Sequence, residues 1–268
     1  MRGHSPRRRF GQNFLADPHY VAKIVAAVDP RAGDNVVEIG PGLAALTGGL
    51  VAGAKHIAAI EIDRDLAARL RAEFTSEQLT LYEADALAFD YAQLGTHLRI
   101  VGNLPYNIST PLLFHLFTFV DRLRDLHIML QREVIARMTA APATPEYGRL
   151  SVMVQAQFAV TRLFIVPPGA FRPAPEVDSA VARLVPLADA APRIANRATF
   201  ARIVAAAFGQ RRKTLRNALA GVCDTGLLQH VGIDPGARGE TLSVDDYARL
   251  ANESARLEAI DRAAPQVE

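Results

Sequence analysis

The tetrapeptide Asn103-Leu104-Pro105-Tyr106 ends a short apolar run, Arg99–Asn103 (RIVGN), and combines groups suited to handling a planar exocyclic amine. The lone pair of such an amine is delocalised into its ring, so the nitrogen is a poor nucleophile. The amide oxygen of Asn103, with a main-chain carbonyl of the same turn, can accept both N–H bonds of the amine. That favours a pyramidal nitrogen and frees its lone pair to attack a methyl carbon. Pro105 fixes the turn, and Tyr106 gives a base a flat surface to stack on. No strong base is needed beforehand, because the proton becomes acidic as positive charge develops on nitrogen. Catalysis would rest on in-line positioning and on acceptors aimed at that charge. A turn with only a structural role is the alternative, and its place at the end of a fourth strand argues against it.

Three further strand ends carry groups that suit a nucleoside. The first ends Glu38-Ile39-Gly40-Pro41-Gly42, where paired glycines let the chain turn tightly and let a ligand approach the main chain. Alone this signal is weak, since Gly40–Ala45 also satisfies the dinucleotide pattern G-x-G-x-x-A. Glu61, at the end of the second strand, suits the diol of a ribose. Asp85, at the end of the third, suits the exocyclic amine of an adenine. For either acid alone, a surface carboxylate at a strand end is an even alternative. Dehydrogenases and methyltransferases both place an acid where Glu61 stands, and the Asn103–Tyr106 turn decides for the methyltransferase.

The elements that position these residues follow from periodicity. Asp17-Pro18 reads as a cap and first helical residue, with Val21, Ile24, Val25 and Val28 on one face. Strands are expected at Asn35–Gly40, His56–Asp63, Leu79–Asp85, Arg99–Asn103 and Leu126–Gln131. Helical stripes run between them through Leu43, Leu46, Leu50 and Val51, through Leu66 and Leu70, and from Thr110-Pro111. Two more strands, Leu163–Val166 and Ala180–Leu187, flank the proline-rich Pro167–Pro175. Alternating strands and helices predict a parallel sheet that binds ligands beyond the carboxyl ends of its strands. After about residue 190 helices alone are expected, with a capping box at Ser243 and Asp246. The expected organisation is α/β: a Rossmann-like methyltransferase domain over 1–190 and a smaller all-helical domain over 191–268.

Composition narrows the class. Half of the 268 residues are apolar and the net charge is only +2, which excludes a disordered chain. No run approaches the roughly 18 apolar residues of a membrane span. The basic N-terminus lacks the apolar stretch of a secretory signal, and the single cysteine, Cys223, excludes an internal disulfide and a Cys-rich zinc site. The histidines form no i, i+4 pair and no HExxH occurs, so no metal is assigned. A reduced, cytoplasmic protein is expected, and a monomer, since no heptad or long exposed apolar stripe suggests an obligate partner.

The sequence resembles the bacterial small-subunit (16S) ribosomal RNA adenine N6,N6-dimethyltransferases from about Arg8 to Ala251. The resemblance rests on Arg9–Leu15 (RFGQNFL), Glu38–Thr47 (EIGPGLAALT) and Gly102–Leu116 (GNLPYNISTPLLFHL). It continues through Tyr147–Met153 (YGRLSVM), Pro167–Val181 (PPGAFRPAPEVDSAV) and Phe208–Leu219 (FGQRRKTLRNAL). It implies S-adenosylmethionine as methyl donor, with Asn13 and Leu15 lying over it. Gly40 would contact its amino-acid part, Glu61 its ribose and Asp85 its adenine, while Asn103 faces both its methionine end and the target amine. Phe171 would be a second stacking residue opposite Tyr106; a core aromatic is the alternative, against which its proline-flanked loop argues. The implied substrates are two adjacent adenosines in a hairpin loop near the 3′ end of 16S rRNA, each dimethylated at N6, within the 30S subunit or its precursor. Such loop adenosines are unpaired, so extruding one costs little.

Two acid-free basic blocks fit an RNA partner. One holds Arg7, Arg8 and Arg9; the other holds Arg211, Arg212 and Lys213. Both are expected to grip phosphates, although a solvated helix face explains either block alone equally well. Three other readings stay in view. An NAD-linked dehydrogenase is disfavoured by the Asn103–Tyr106 turn. A large-subunit rRNA dimethyltransferase is disfavoured by the FGQRRKTLRNAL segment. An assembly factor that binds immature small subunits would use the same basic surfaces.

Overall fold

The run Ile57–Glu61 (IAAIE) is buried along its whole length, as an interior strand of a helix-covered parallel sheet must be. The computed structural model describes residues 13–187, 194–210 and 212–263. These fall into two units, one formed by Met1–Ile135 with Ala159–Pro186 and the other by Ala136–Phe158 with Leu187–Glu268.

The first unit carries β1 (Phe14–Leu15), α1 (Pro18–Val28), β2 (Asn35–Ile39), α2 (Thr47–Ala54), β3 (Ile57–Glu61), α3 (Arg64–Glu73) and β4 (Leu79–Glu83). It continues with β5 (Leu98–Asn103), α4 (Ser109–Phe117), β6 (Leu123–Gln131), β7 (Phe158–Val166), β8 (Phe171–Arg172) and β9 (Ser179–Pro186). The main sheet has seven strands in the order β4-β3-β2-β5-β6-β9-β7. Strands β4 to β6 are mutually parallel along that order. The order reverses between β2 and β5, so the chain leaves these two neighbours in opposite directions and opens a crevice at their carboxyl ends.

The start of α1 follows its sequence signals: the Asp17 carboxylate accepts the His19 N–H at 2.9 Å, with Pro18 in the first turn. Two expectations need correction. The helical stripe from Leu43 becomes helix only at Thr47, because Gly40 (φ 67°), Gly42 (φ 58°) and Ala44 (φ 66°) adopt left-handed backbone that a right-handed helix excludes. The sheet is also not wholly parallel, since β9 pairs antiparallel with β6. Between β7 and β9 the chain forms only a single 3-10 turn at Pro168–Ala170 and the short β8, too little for a helical crossover.

A second, two-stranded sheet ties down the start of the described chain. β1 pairs antiparallel with β8, Phe14 opposite Arg172 and Leu15 opposite Phe171. Ala16 and Asp17 both donate N–H to the Ala170 carbonyl, at 2.8 and 3.2 Å. At the amino ends of the parallel strands, the buried Arg99 guanidinium spans Asp125 (3.0 Å twice), Asp34 (2.7 Å) and the Val28 carbonyl (2.6 Å). It joins the end of α1 to the starts of β5 and β6.

The second unit is helical. Helix α5 (Arg132–Met138) leads into it, followed by α6 (Arg149–Gln155), α7 (Arg197–Gly209), α8 (Leu215–Ala218), α9 (Thr225–His230) and α10 (Val244–Ala263). Its core joins Tyr147, Val152, Phe200, Ile203, Tyr247 and Leu250. The Tyr147 hydroxyl donates to the Leu242 carbonyl at 2.9 Å and that of Tyr247 to the Gly239 carbonyl at 2.8 Å, so both buried phenols are satisfied. Ser243 and Asp246 form the expected reciprocal cap on α10. The expected division at 190/191 falls in 188–193, outside the described residues, and it misses the contribution of 136–158. That segment joins the helical core through Tyr147, Val152 and Ala156. The chain passes from one unit to the other inside α5, without the Gly, Pro or Ser linker that would mark a boundary in sequence.

Candidate functional site

The crevice at the carboxyl ends of β2 and β5 gathers Asn13, Leu15, Gly40, Glu61, Asp85, Asn103 and Tyr106 along one cleft. Apolar side chains such as Ile39, Ile60, Ile62 and Leu104 make up much of its remaining wall. At its floor the Gly40 N–H donates to the Ile60 carbonyl at 2.9 Å, continuing the ladder to β3. A Cβ added at Gly40 would meet nothing within 4 Å, so the space there is open to a ligand. One at Gly42 would lie 3.1 Å from the Phe14 ring, which packs onto the loop from β1.

Glu61 is almost fully buried, and its two carboxylate oxygens accept the N–H groups of Gly42 (3.1 Å) and Asp63 (2.9 Å). The Ile62 N–H also acts on this carboxylate, which still keeps acceptor capacity for a hydroxyl donor. Burial lifts the Glu61 carboxyl above its ordinary value, against the pull of those hydrogen bonds. Glu38, also buried, lines the same cleft and accepts the Thr47 hydroxyl at 2.7 Å. Burial pushes its carboxyl up to about 7, and the nearby Glu61 charge adds to the rise. Sequence reasoning did not single out Glu38, although an acid inside the apolar run NVVEI was the available signal. Asp85 is exposed at the mouth and accepts the Leu87 N–H at 2.9 Å.

The turn after β5 is held at several points. The Leu104 N–H donates to the Met129 carbonyl (3.1 Å) and the Ile108 N–H to the Pro105 carbonyl (3.1 Å). The Ser109 hydroxyl donates to the Tyr106 carbonyl at 3.1 Å. The Asn103 amide nitrogen donates to the Asn13 carbonyl at 2.9 Å. A carbonyl can only accept, so the NH2 end must face Asn13, and Oδ1 is left as the acceptor at the other end of the amide. The Tyr106 hydroxyl lies 2.6 Å from Ser179 Oγ, and burial raises the Tyr106 phenol above its usual value.

Phe171 departs from its expected place. It is fully buried in the core with Leu15, Val166 and Val181 and does not line the cleft. The cause is the β1–β8 pairing, which sets Phe171 opposite Leu15 and turns its proline-flanked loop into the wall of a core. The core-aromatic alternative describes it.

Of the basic residues, Arg7, Arg8, Arg9 and Arg211 lie outside the described residues. Arg212 and Lys213 are exposed between α7 and α8, and neither makes an ion pair among the described residues. No cluster of three metal-ligating side chains occurs among the described residues, and none of their helices is long and apolar enough to cross a membrane.

The donor set suits S-adenosylmethionine. Glu38 inside β2, with Glu61 at the end of β3 and Asp85 just past β4, matches its ammonium, ribose diol and adenine amine, between apolar walls for the flat and aliphatic parts. The open main chain at Gly40 admits its amino-acid end.

Residues 3–256 match the family described as ribosomal RNA adenine dimethylase. The chain is 56% identical to the ribosomal RNA small subunit methyltransferase A of Aromatoleum aromaticum, covering 94% of this chain and 95% of that one. It is 57% identical to the protein of the same name from Thiobacillus denitrificans, over 92% and 97%. Among solved structures it is similar to a dimethyladenosine transferase from Plasmodium falciparum, with TM-score 0.79 and 25% identity over 91% of this chain and 98% of that one. It is also similar to the 23S rRNA methyltransferase ErmE, with TM-score 0.68 and 25% identity over 91% and 100%.

Proposed function

This chain belongs to the ribosomal RNA adenine dimethylase family, and from that premise we propose that it dimethylates N6 of two adjacent adenosines near the 3′ end of 16S rRNA. It is an S-adenosylmethionine-dependent rRNA (adenine-N6,N6-)dimethyltransferase of the small ribosomal subunit. The share of identical residues with the small-subunit enzymes is about twice that with ErmE, which favours the small-subunit substrate over the large.

The observation that carries the reading is the Asn103 amide at the end of β5, oriented by Asn13 and set in one cleft with Glu38, Glu61 and Asp85. S-adenosylmethionine supplies a methyl group on a sulfonium, with a neutral thioether as leaving group. Gly40, Glu61 and Asp85 would hold it by its amino-acid end, ribose and adenine, with Asn13 and Leu15 lying over it. Asn103 Oδ1 and a main-chain carbonyl of the turn accept the two N6–H bonds of the extruded adenosine. Tyr106 stacks on its ring. As the N–C bond forms, these acceptors stabilise the positive charge on nitrogen, and the proton then passes to solvent. The monomethylated amine keeps one N–H for one of these acceptors, and transfer from a second S-adenosylmethionine, with loss of that proton, gives the dimethylated base.

The helical unit presents Arg212 and Lys213, and with Arg211 and Arg7–Arg9 these would grip RNA phosphates. The protein acts as a monomer in the cytoplasm, on the 30S subunit or its precursor. The test is to offer both unmodified ribosomal subunits to the protein with S-adenosylmethionine labelled in its methyl group. Label is expected in small-subunit RNA, and label confined to large-subunit RNA would overturn the substrate.

A further inference from the structure

We infer that Ser179 is a positioning residue for methyl transfer, its hydroxyl fixing the direction in which the Tyr106 ring projects at the mouth of the cleft. Ser179 is fully buried, and its Oγ lies 2.6 Å from the Tyr106 hydroxyl. It is the first residue of β9, opposite Gln131, the last residue of β6. Because β9 runs antiparallel to β6, its beginning lies where the parallel strands end, at the edge that carries Asn103.

Tyr106 is thus held at both ends, by the Ser109 hydroxyl on its carbonyl and by Ser179 at the ring tip. The main-chain bond fixes the base of the side chain. The bond to Ser179 opposes rotation about Cα–Cβ, which would carry the hydroxyl away. Pre-setting the ring matters here because Phe171 is fully buried and does not line the cleft. The target base must take its direction from Tyr106 and its amine contacts from Asn103. This inference rests on the proposed stacking role of Tyr106.

The test compares Ser179→Ala, Tyr106→Phe and the double variant on unmodified small subunits. Tyr106→Phe keeps the ring and removes only the hydroxyl. Each single variant is expected to lower kcat by about ten-fold, as small misplacements of reacting groups do. KM for subunits and cofactor affinity stay unchanged. The double variant is expected to be no slower than either single one, because both remove the same bond. In protein labelled with 13C-tyrosine, the Tyr106 ring signals, assigned by their loss in Tyr106→Phe, should shift in Ser179→Ala. Full activity in Tyr106→Phe beside a slow Ser179→Ala would overturn the inference, leaving Ser179 a role in folding alone. So would losses that multiply in the double variant. If the unaltered protein left small-subunit RNA unmethylated, the functional reading would fail. The ring signals would still judge Ser179, and no shift in Ser179→Ala would reject it.

Discussion

The Asn103 amide donates its N–H to the main-chain carbonyl of Asn13 at 2.9 Å, across 90 positions of sequence. The acceptor proposed to meet the target amine is therefore oriented by the first described residue of the chain, which β1 and β8 hold in place. Asn103→Asp keeps an acceptor but sets a carboxylate against that carbonyl, so the side chain must swing away. Single-turnover methylation by Asn103→Asp should be slower by about 10²-fold, the scale of losing one preorganised group. A rate near that of the unaltered protein would show that orientation by Asn13 is dispensable.

Gly42 sits with φ 58° and the Phe14 ring against it, where an added Cβ would lie 3.1 Å from two ring atoms. Gly42→Ala therefore meets both backbone strain and a displaced Phe14, at a cost of about 1–3 kcal/mol. Because the Gly42 N–H also holds Glu61 Oε2, cofactor affinity should fall with stability. Calorimetric titration with S-adenosylmethionine checks the first and thermal unfolding the second. Unchanged affinity would separate the loop from the cofactor.

His127 is buried beside Asp125, 3.7 Å away, and burial with the charges of Arg99 and Arg183 lowers its pKa from 6.5 to about 4 despite Asp125. The unfolded chain thus binds a proton at higher pH than the folded one. Stability should be lost as pH falls from about 6.5 towards 4, by on the order of 3 kcal/mol. Glu38, lifted to about 7, acts in the opposite sense: its contribution is present below the unfolded value of 4.5 and lost as pH rises through about 7. Denaturant titrations across this range isolate the first effect as the difference between the unaltered protein and His127→Phe. A difference independent of pH would contradict it.

Arg212 and Lys213 are exposed and without ion-pair partners among the described residues. Neutralising both to Gln should weaken binding to small subunits and reduce the slope of log K against log salt by roughly 1.5. An unchanged slope would remove them from the RNA interface.

How much of this was legible in sequence depended on how local each feature is. Gly40, Glu61, Asp85 and Asn103 follow directly from strands whose ends can be read from apolar runs, and one crevice collects them. Glu38 hides inside such a run, and only the fold shows it beside Glu61. Ser179 reaches the site because β9 is antiparallel, a pairing the alternating pattern did not announce. Phe171 was misplaced for a similar reason: flanking prolines suggest an exposed loop, while its pairing across β1 and β8 is a long-range contact. The helical unit recruits 136–158 through a change of unit inside α5, where local signals continue unbroken.

The most direct measurement counts N6,N6-dimethyladenosine by mass spectrometry after small subunits lacking the modification are incubated with the protein and S-adenosylmethionine. Nearly two dimethyladenosines per subunit are expected, with almost none from Asn103→Ala. Tight binding of subunits without any methylation, or full methylation by Asn103→Ala, would contradict the role assigned to the turn at the end of β5.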